Sequence, residues 1–174
     1  MAAAIYEGKQ ATLNQSYGPE ARGSSCSAQV VVSDEPIHYP YVSKADILIA
    51  LSQEAYSKFQ PELVKGGLAL VEKDLVALSR PPAGARLFSI PATRMAEELG
   101  RKIIANIVML GFFTSMSELF EKDSVLQAML ASVPKGTEEL NTGAFNSGYE
   151  YGQKLKKEKK GRAEKAQGSK KSKS

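Results

Sequence analysis

The loop at residues 16–23 holds the side chains best suited to binding a small charged ligand. Glu20 and Arg22 place opposite charges on a short turn that two glycines and a proline shape. Arg22 could hold a phosphate or a carboxylate through two parallel hydrogen bonds. On composition alone, local pairing of Glu20 with Arg22 to stiffen the turn is slightly favoured. The candidate site residues of this loop are Tyr17, Gly18, Pro19, Glu20, Arg22 and Gly23.

Reactive side chains are scarce elsewhere in the sequence. There is one histidine, His38, one cysteine, Cys26, and no Cys-x-x-Cys pair that would indicate an iron–sulfur or zinc site. The phosphate-binding loop with Gly-Lys-Ser/Thr and the Gly-x-Gly-x-x-Gly motif are both absent. His38 lies between two prolines without a nucleophile-elbow motif, so we expect a histidine at a surface or interface. Cys26 is expected to be a packed thiol within a strand.

Three further polar residues are candidates for contact with a ligand or a partner chain. Thr93 is predicted to cap a long helix that ends near Phe113. Asn106 interrupts the apolar face of that helix, and Asn141 lies near the start of the last helix. Each asparagine has two interpretations: contact with a loop or a partner chain, or a core amide with satisfied hydrogen bonds, which is the commoner outcome.

The elements that position these residues follow a strand–helix–strand order. Apolar runs at residues 45–51 and 68–72 predict strands buried on both faces, and a third strand is predicted at residues 86–90. Ser52 is predicted to cap a short helix, and Gly66-Gly67 to form a turn. The order indicates crossover units and therefore an α/β fold with a mainly parallel sheet flanked by helices.

The two ends of the chain are predicted to be helical. A short helix over residues 2–7 ends at Gly8, and strands are predicted at residues 10–17 and 25–33. In the C-terminal part, Ser115 to Glu118 fits a capping box for one helix. Thr137 is predicted to cap the last helix, whose inner face is Leu140, Ala144, Phe145 and Tyr149.

Charge is distributed unevenly along the 174 residues. Residues 154–174 contain ten Lys or Arg and two Glu, a charge of +8, and since the whole chain carries +4, residues 1–153 carry −4. We therefore predict a folded domain at residues 1–153 and a disordered Lys-rich tail at residues 154–174. An acidic body makes nucleic acid an improbable partner.

Location is indicated by what the sequence lacks. No apolar run is long enough to span a bilayer, and we see no signal peptide. One cysteine cannot form an internal disulfide. The simplest interpretation is a cytoplasmic protein that has no membrane partner.

Several motifs, in order, resemble one family. The matching segments are residues 16–23 (Ser-Tyr-Gly-Pro-Glu-Ala-Arg-Gly), 31–37 (Val-Val-Ser-Asp-Glu-Pro-Ile), 45–56 (from Ala-Asp-Ile-Leu to Gln-Glu-Ala-Tyr), 90–93 (Ile-Pro-Ala-Thr), 105–111 (Ala-Asn-Ile-Val-Met-Leu-Gly) and 140–145 (Leu-Asn-Thr-Gly-Ala-Phe). The chain thus resembles the gamma subunit of 2-oxoacid:ferredoxin oxidoreductases over nearly all of residues 2–151. The form of the 16–23 loop is more similar to 2-oxoglutarate-type members than to pyruvate-type members.

The resemblance implies a Rossmann-like domain that is an accessory part of a multisubunit enzyme. Such enzymes oxidatively decarboxylate a 2-oxoacid to acyl-CoA with thiamine diphosphate, Mg, iron–sulfur clusters and CoA, and none of these is expected to bind to this chain alone. The implied partners are alpha and beta subunits, a ferredoxin-like delta subunit, and ferredoxin through the complex; a homodimer of the isolated chain stays open. The implied substrate/CoA-site or subunit-interface residues are Tyr17, Gly18, Pro19, Glu20, Arg22, Gly23, Thr93, Asn106 and Asn141, with no catalytic residue.

The sequence departs from the family pattern in two places. Family members begin with a strand and a Gly-x-Gly-Gly-Gln-Gly turn, whereas this sequence begins inside the helix that follows, either naturally or by truncation. The family loop continues Arg-Gly-Gly, whereas this chain has Arg22-Gly23-Ser24. The missing anion-binding turn argues against independent binding of CoA or a nucleotide.

The sequence leaves two alternatives to an accessory subunit. One is a free-standing α/β domain that binds CoA or a nucleotide. The other is a nucleic-acid-associated protein that uses its Lys-rich tail, and such binding would weaken steeply with added salt.

Overall fold

The computed structural model describes residues 1–17, 26–77 and 84–171, with side chains described as far as Lys159. The candidate residues Gly18, Pro19, Glu20, Arg22 and Gly23 lie outside the described residues.

The N-terminal part forms a short helix and a two-stranded ribbon. Helix α1 spans Ala2–Tyr6, and strands β1 (Gln10–Tyr17) and β2 (Cys26–Ser33) pair antiparallel over their whole length. A salt bridge of 2.7 Å between Lys9 Nζ and Asp34 Oδ1 closes the base of the ribbon. The two predicted strands are confirmed, and they form their own sheet, separate from the parallel one. Cys26 is exposed, so the prediction of a packed thiol is wrong.

A three-stranded parallel sheet forms the centre of the fold. Its strands β3 (Ala45–Ala50), β4 (Leu63–Glu72) and β5 (Arg86–Ile90) lie in the order β3-β4-β5. Helix α2 (Gln53–Phe59) follows β3, and helix α3 (Ala92–Glu98) follows β5. The hydroxyl of Ser52 accepts the N–H of Ala55 at 3.1 Å, as predicted for a helix cap. The α/β class with a parallel sheet flanked by helices is confirmed.

Apolar residues of the central strand alternate between two cores. Leu68 and Leu70 face one side with Ile90, and Ala69 and Val71 face the other. The first core is completed by α3 and by two helices of the C-terminal part, and the second by Tyr56 of α2 and by Val76. Because residues 68–71 of β4 are buried on both faces, they form an uninterrupted apolar run in the sequence.

The predicted turn at Gly66-Gly67 is wrong, because β4 runs through both glycines. Gly66 has a φ of 81°, and the pairing register with β3 shifts beside it, between Ala45 and Ile47. A Cβ on Gly67 would lie 2.9 Å from the carbonyl oxygen of Val64. The pair therefore forms an irregularity inside a strand, which two glycines accommodate.

The single long helix predicted from Thr93 to Phe113 is two helices. Helix α3 ends at Glu98, and helix α4 spans Ala105–Ser117 after a 3₁₀ turn at Lys102–Ile104. Gly100 has a φ of 92°; its N–H bonds the carbonyl of Glu97, and the N–H of Arg101 bonds that of Ala96. These two bonds form a Schellman motif, which ends α3. Thr93 lies inside α3, so its prediction as a cap is wrong.

The predicted capping box at Ser115 to Glu118 is also wrong. Ser115 is buried within α4, which ends at Ser117, and Glu118 follows in the left-handed conformation with a φ of 53°. The next helix, α5, spans Lys122–Leu130 and begins after Glu121. Ser115 is on the side of α4 that packs into the core, which the local motif cannot reveal.

Helix α6 (Glu138–Lys171) crosses α4 at very short range. A Cβ on Gly148 would lie 1.9 Å from the carbonyl oxygen of Val108, and a Cβ on Gly111 would lie 1.9 Å from that of Phe145. The predicted inner face of the helix is confirmed at Ala144 and Phe145, which are fully buried. Glycines on both helices thus allow the two backbones to touch.

Residues 154–159, which the sequence assigns to a disordered tail, continue helix α6 in the structure. Leu155 packs against the sheet core, Lys156 Nζ donates to Glu118 Oε1 at 2.6 Å, and Lys159 Nζ lies 3.7 Å from the ring centre of Phe88. Long Lys stems cover apolar surface while their charged ends stay solvated, so a basic segment can still pack. The backbone of α6 continues to Lys171. For residues 160–174, disorder in solution stays a prediction.

None of the helices in the described ranges combines the length and apolar character that crossing a bilayer requires.

Candidate functional site

The carboxyl ends of the three parallel strands meet at one edge of the sheet. Ala50 leads into α2, Glu72 ends β4, and Ile90 leads into α3. In open α/β sheets this edge is where ligands bind. Polar residues follow the apolar runs of these strands in the sequence and therefore lie at this edge. We take this edge as the candidate functional site.

Glu72 is the central residue of this edge. Its side chain is fully buried, and its two carboxylate oxygens accept different backbone N–H groups: Oε1 that of Asp74 at 3.1 Å, and Oε2 that of Thr93 at 3.0 Å. A buried carboxylate is tolerated only when hydrogen bonds compensate for its lost hydration. Glu72 therefore fixes the loop after β4 to the start of α3.

An ion pair lies next to that link. The guanidinium of Arg94 donates from Nη2 to both carboxylate oxygens of Asp74, at 2.7 and 2.8 Å. This hydrogen bond and the charge of Asp74 raise the pKa of Arg94 further above its ordinary value. The Arg94 side chain is 61% exposed, so the ion pair is in contact with solvent. Its remaining N–H donors can meet an incoming acceptor.

The first turn of α2 completes the edge. Gln53 Oε1 accepts the N–H of Ala77 at 2.7 Å, which ties α2 to the segment after β4. At this edge, side chains of one segment thus accept backbone N–H groups of another, and these hydrogen bonds hold the segments together. Among the described residues, no group of three His, Cys, Asp or Glu side chains could hold a metal ion. The described side chains of the edge therefore hold the ends of the three strands and their following segments in fixed positions.

A second concave feature lies among the helices. The groove has a volume of about 660 Å³ and is mainly apolar. Asn106 and Asn141 both line it, together with Ile103, Leu110 and Met129. The structure thus brings two of the predicted residues together, and Thr93 is not part of this groove.

The two asparagines have different environments. Asn141 is buried, and its Nδ2 donates to the backbone oxygen of Thr137 at 2.8 Å and to its hydroxyl at 2.9 Å. It is therefore a satisfied amide that stabilises the start of α6. Asn106 is exposed, and its Oδ1 accepts the N–H of Ile107 at 3.0 Å. Of the two, Asn106 is the one that a partner can reach.

The remaining predicted residues are placed as follows. Thr93 contributes its backbone N–H to Glu72 at the carboxyl edge. Tyr17, at the tip of β1, is 71% exposed, and its hydroxyl donates to Gln15 Oε1 at 2.7 Å. Sequence reasoning missed Glu72, Asp74 and Arg94; the available signal was a carboxylate at the end of a buried parallel strand.

Comparison with known proteins places this arrangement in a family. Residues 1–151 match the family model described as pyruvate ferredoxin/flavodoxin oxidoreductase. The 2-oxoglutarate synthase subunit KorC of Methanocaldococcus jannaschii is 49% identical over 156 residues, which cover 88% of this chain and 83% of that protein.

Solved structures share the fold. The gamma subunit of a keto/oxoacid ferredoxin oxidoreductase from Geobacter sulfurreducens is 40% identical, with a TM-score of 0.73 over 87% of this chain and 85% of that one. The 2-oxoglutarate:ferredoxin oxidoreductase of Magnetococcus marinus has a TM-score of 0.74 at 19% identity, and the match covers 87% of this chain but 27% of that longer one. The chain belongs to the pyruvate ferredoxin/flavodoxin oxidoreductase family, as a member of its gamma-subunit type.

Proposed function

We propose that this chain is the gamma subunit of a 2-oxoglutarate:ferredoxin oxidoreductase and works only within the assembled enzyme. The observation that carries this is the 49% identity to a 2-oxoglutarate synthase subunit over 88% of the chain. The carboxyl edge agrees with an accessory role, because Glu72 and Gln53 use their side chains to hold backbone N–H groups.

In the assembled enzyme, the proposed reaction converts 2-oxoglutarate and CoA into succinyl-CoA and CO₂, with the electrons passing to ferredoxin. Thiamine diphosphate with Mg would supply the decarboxylation chemistry and iron–sulfur clusters the electron transfer. The described residues of this chain do not fit a metal or cluster site, so we assign these cofactors to alpha, beta and ferredoxin-like delta subunits. We further propose that the complex works in the cytoplasm.

The contribution of this chain would be to shape the CoA site and the subunit contacts. Glu72 and the Asp74–Arg94 pair hold the loops of the carboxyl edge, and Arg94 keeps donors facing solvent. The loop that contains Tyr17, Gly18, Pro19, Glu20, Arg22 and Gly23 is proposed to contribute Arg22 to an anionic group of CoA or of the 2-oxoacid. Thr93, at the carboxyl edge, and Asn106 and Asn141, in the groove, would contribute to the CoA site or to a subunit interface.

The decisive experiment compares the chain alone with the reconstituted enzyme. Purified chain should give no 2-oxoglutarate- and CoA-dependent reduction of ferredoxin or a viologen dye. Addition of the other subunits should restore activity, and omission of this chain should abolish it. Turnover by the lone chain, or full activity without it, would contradict the proposal. Tight binding of CoA by the isolated chain in calorimetry would instead favour a free-standing binding domain.

Arg22 permits a sharper test within the reconstituted enzyme. Arg22→Lys keeps the charge but loses the planar pair of donors that matches a phosphate or carboxylate. We expect the KM for CoA or for 2-oxoglutarate to rise by about tenfold, the equivalent of roughly 1.4 kcal/mol, with kcat nearly unchanged. Lys58→Arg, on the exposed side of α2, is the matched control. Unchanged KM values for both substrates would remove Arg22 from the site.

A further inference from the structure

The ribbon of β1 and β2 has one apolar face, and most of the side chains on that face are exposed to solvent. Directly paired residues share a face, and alternate pairs lie on the same side. We call one side the outer face. Three of its large side chains are well exposed: Leu13 at 41%, Val30 at 43% and Tyr17 at 71%. The outer face consists of Ala11, Leu13, Gln15, Tyr17, Cys26, Ala28, Val30 and Val32.

The opposite face is polar and better covered. Thr12, Asn14, Ser27 and Gln29 on that side are all half-buried. Gln29 Oε1 accepts the backbone N–H of Val42 at 3.2 Å, so the segment between β2 and β3 lies against this face. A sheet with one free side normally packs its apolar face on the protein and exposes its polar face. The ribbon reverses that arrangement.

The composition of the ribbon restricts what can cover it. Neither Gln10–Tyr17 nor Cys26–Ser33 contains a charged residue, although 24% of the whole chain is charged. The nearest charges, Lys9 and Asp34, neutralise each other at its base. A complementary partner surface must therefore be uncharged and apolar, as in permanent subunit interfaces. A two-stranded ribbon is also only marginally stable without such packing.

We propose that the outer face docks permanently onto the sister subunit that corresponds to the remainder of the longer chain in the Magnetococcus marinus enzyme. In that protein the shared fold covers only 27% of one polypeptide, so the rest is held beside it covalently. Where a gamma-type domain and that subunit are not joined in one polypeptide, an apolar interface would take the place of the tether. This inference rests on the proposed function. It assigns this permanent contact to the ribbon.

The test is binding of the full chain to the sister subunits, measured by co-purification and by titration of reconstituted activity. Leu13→Lys and Val30→Lys each bury a charge in the proposed interface and should weaken assembly by tenfold or more. Val30→Thr keeps the shape and adds only a hydroxyl, so it should cause a smaller loss in the same direction. Leu119→Lys, at a 42% exposed residue that matches Leu13 in exposure, is the control and should assemble like wild type. Ile103→Lys tests the groove as the competing surface. Circular dichroism checks that each variant is folded.

The outcomes separate this inference from the proposed function. If the wild-type chain forms no complex with the sister subunits, both fail. If wild type assembles and the folded Lys variants assemble equally tightly, only the ribbon interface is overturned. Loss of assembly in Ile103→Lys alone overturns it in favour of the groove. A dimer of the free chain that the ribbon variants dissolve, with subunit binding unchanged, overturns it in favour of a second copy.

Discussion

At the scale of single residues, Glu72 does the most to organise the carboxyl edge. One buried carboxylate accepts N–H groups from two segments that are distant in sequence, after β4 and at the start of α3. The apolar run of residues 68–72 predicts the C-terminal half of β4, and the carboxylate at its end is the one feature of the sequence that marks Glu72. Its role depends on the neighbouring strand β5 and helix α3, which only the fold brings within hydrogen-bonding distance.

We predict that Glu72→Gln destabilises the protein by about 1–3 kcal/mol. The amide keeps one oxygen acceptor but points N–H donors at a backbone N–H, which leaves a buried group unsatisfied. Glu97→Gln, on the exposed surface of α3, should stay within about 0.5 kcal/mol. Urea unfolding of both variants measures the difference, and equal stabilities would show that Glu72 does not link the two segments.

Lys156 and Glu118 give a pH-dependent contact between α6 and the end of α4. The hydrogen bond and charge of Lys156 hold the pKa of Glu118 below its ordinary value. Because the folded pKa is depressed, the contact stabilises the fold above the unfolded glutamate pKa of about 4.3 and is lost as the pH falls through the folded pKa.

The variant Lys156→Gln should return the Glu118 pKa toward its ordinary value in an NMR titration. Its stability should be lower than that of wild type at neutral pH, and the two should converge in acid. Lys157→Gln, one residue along the same helix, is the matched control and should leave the Glu118 titration unchanged. A Glu118 pKa that does not respond to Lys156→Gln would mean that the pair does not form in solution.

At the scale of elements, the crossing of α4 and α6 depends on glycines that look unfavourable in a helix. Glycine lowers helix stability by about 1 kcal/mol relative to alanine, yet Gly111 and Gly148 occupy the contact. The sequence predicted the inner face of α6 from apolar spacing, but not its partner. A pattern of spacing shows which side of a helix is buried and does not identify the helix that covers it.

We predict that Gly148→Ala destabilises the fold by more than the roughly 1–3 kcal/mol typical of overpacking. The new Cβ meets backbone, the carbonyl oxygen of Val108, which cannot rotate away. Gly143→Ala in the same helix has open space around its Cβ and should stabilise by about 0.5–1 kcal/mol. Thermal unfolding of the two variants compares them directly. A neutral Gly148→Ala would mean that the helices are farther apart in solution.

The errors in predicting elements share a physical origin. The apolar residues from Ala96 to Leu110 fit one long helix, because Leu99 and Ile103 keep the spacing across the break at Gly100. Both side chains are exposed, so the apolar spacing across the break does not mark a buried helix face. Likewise, Gly66-Gly67 carried a turn signal that pairing with β3 overrode. Local signals failed where tertiary packing decided the conformation.

At the scale of the whole molecule, the acidic body and the basic end of α6 are joined by a short packed segment. Residues 154–159 contact the body through Leu155, Lys156 and Lys159. The change in composition at Lys154 predicts the end of folded structure, because lysine-rich sequence rarely buries enough apolar area. Here the methylene stems supply that area.

We predict that a chain ending after Lys159 unfolds at nearly the same temperature as the full chain, whereas one ending after Gln153 is less stable by about 1–3 kcal/mol. The larger loss follows from burial of the Leu155 side chain, which is worth about 1.5–3 kcal/mol when complete, and from the two lysine contacts. Calorimetry of the three proteins tests the difference. Identical stability of both truncated chains would support the predicted domain boundary at Gln153.

The glycine crossing also determines how the protein can recover from mutation. When a side chain collides with another side chain, a second substitution that trims the opposing residue can restore the fit. At Gly111 and Gly148 the obstacle is the facing main chain, which every amino acid shares. No second-site replacement on the facing helix can therefore suppress the defect, and relief would require α6 to slide. Such a shift would carry Lys156 away from Glu118. Intragenic suppressors of Gly148→Ala should therefore be changes that stabilise the fold elsewhere, such as Gly143→Ala, and not changes of the facing residues of α4.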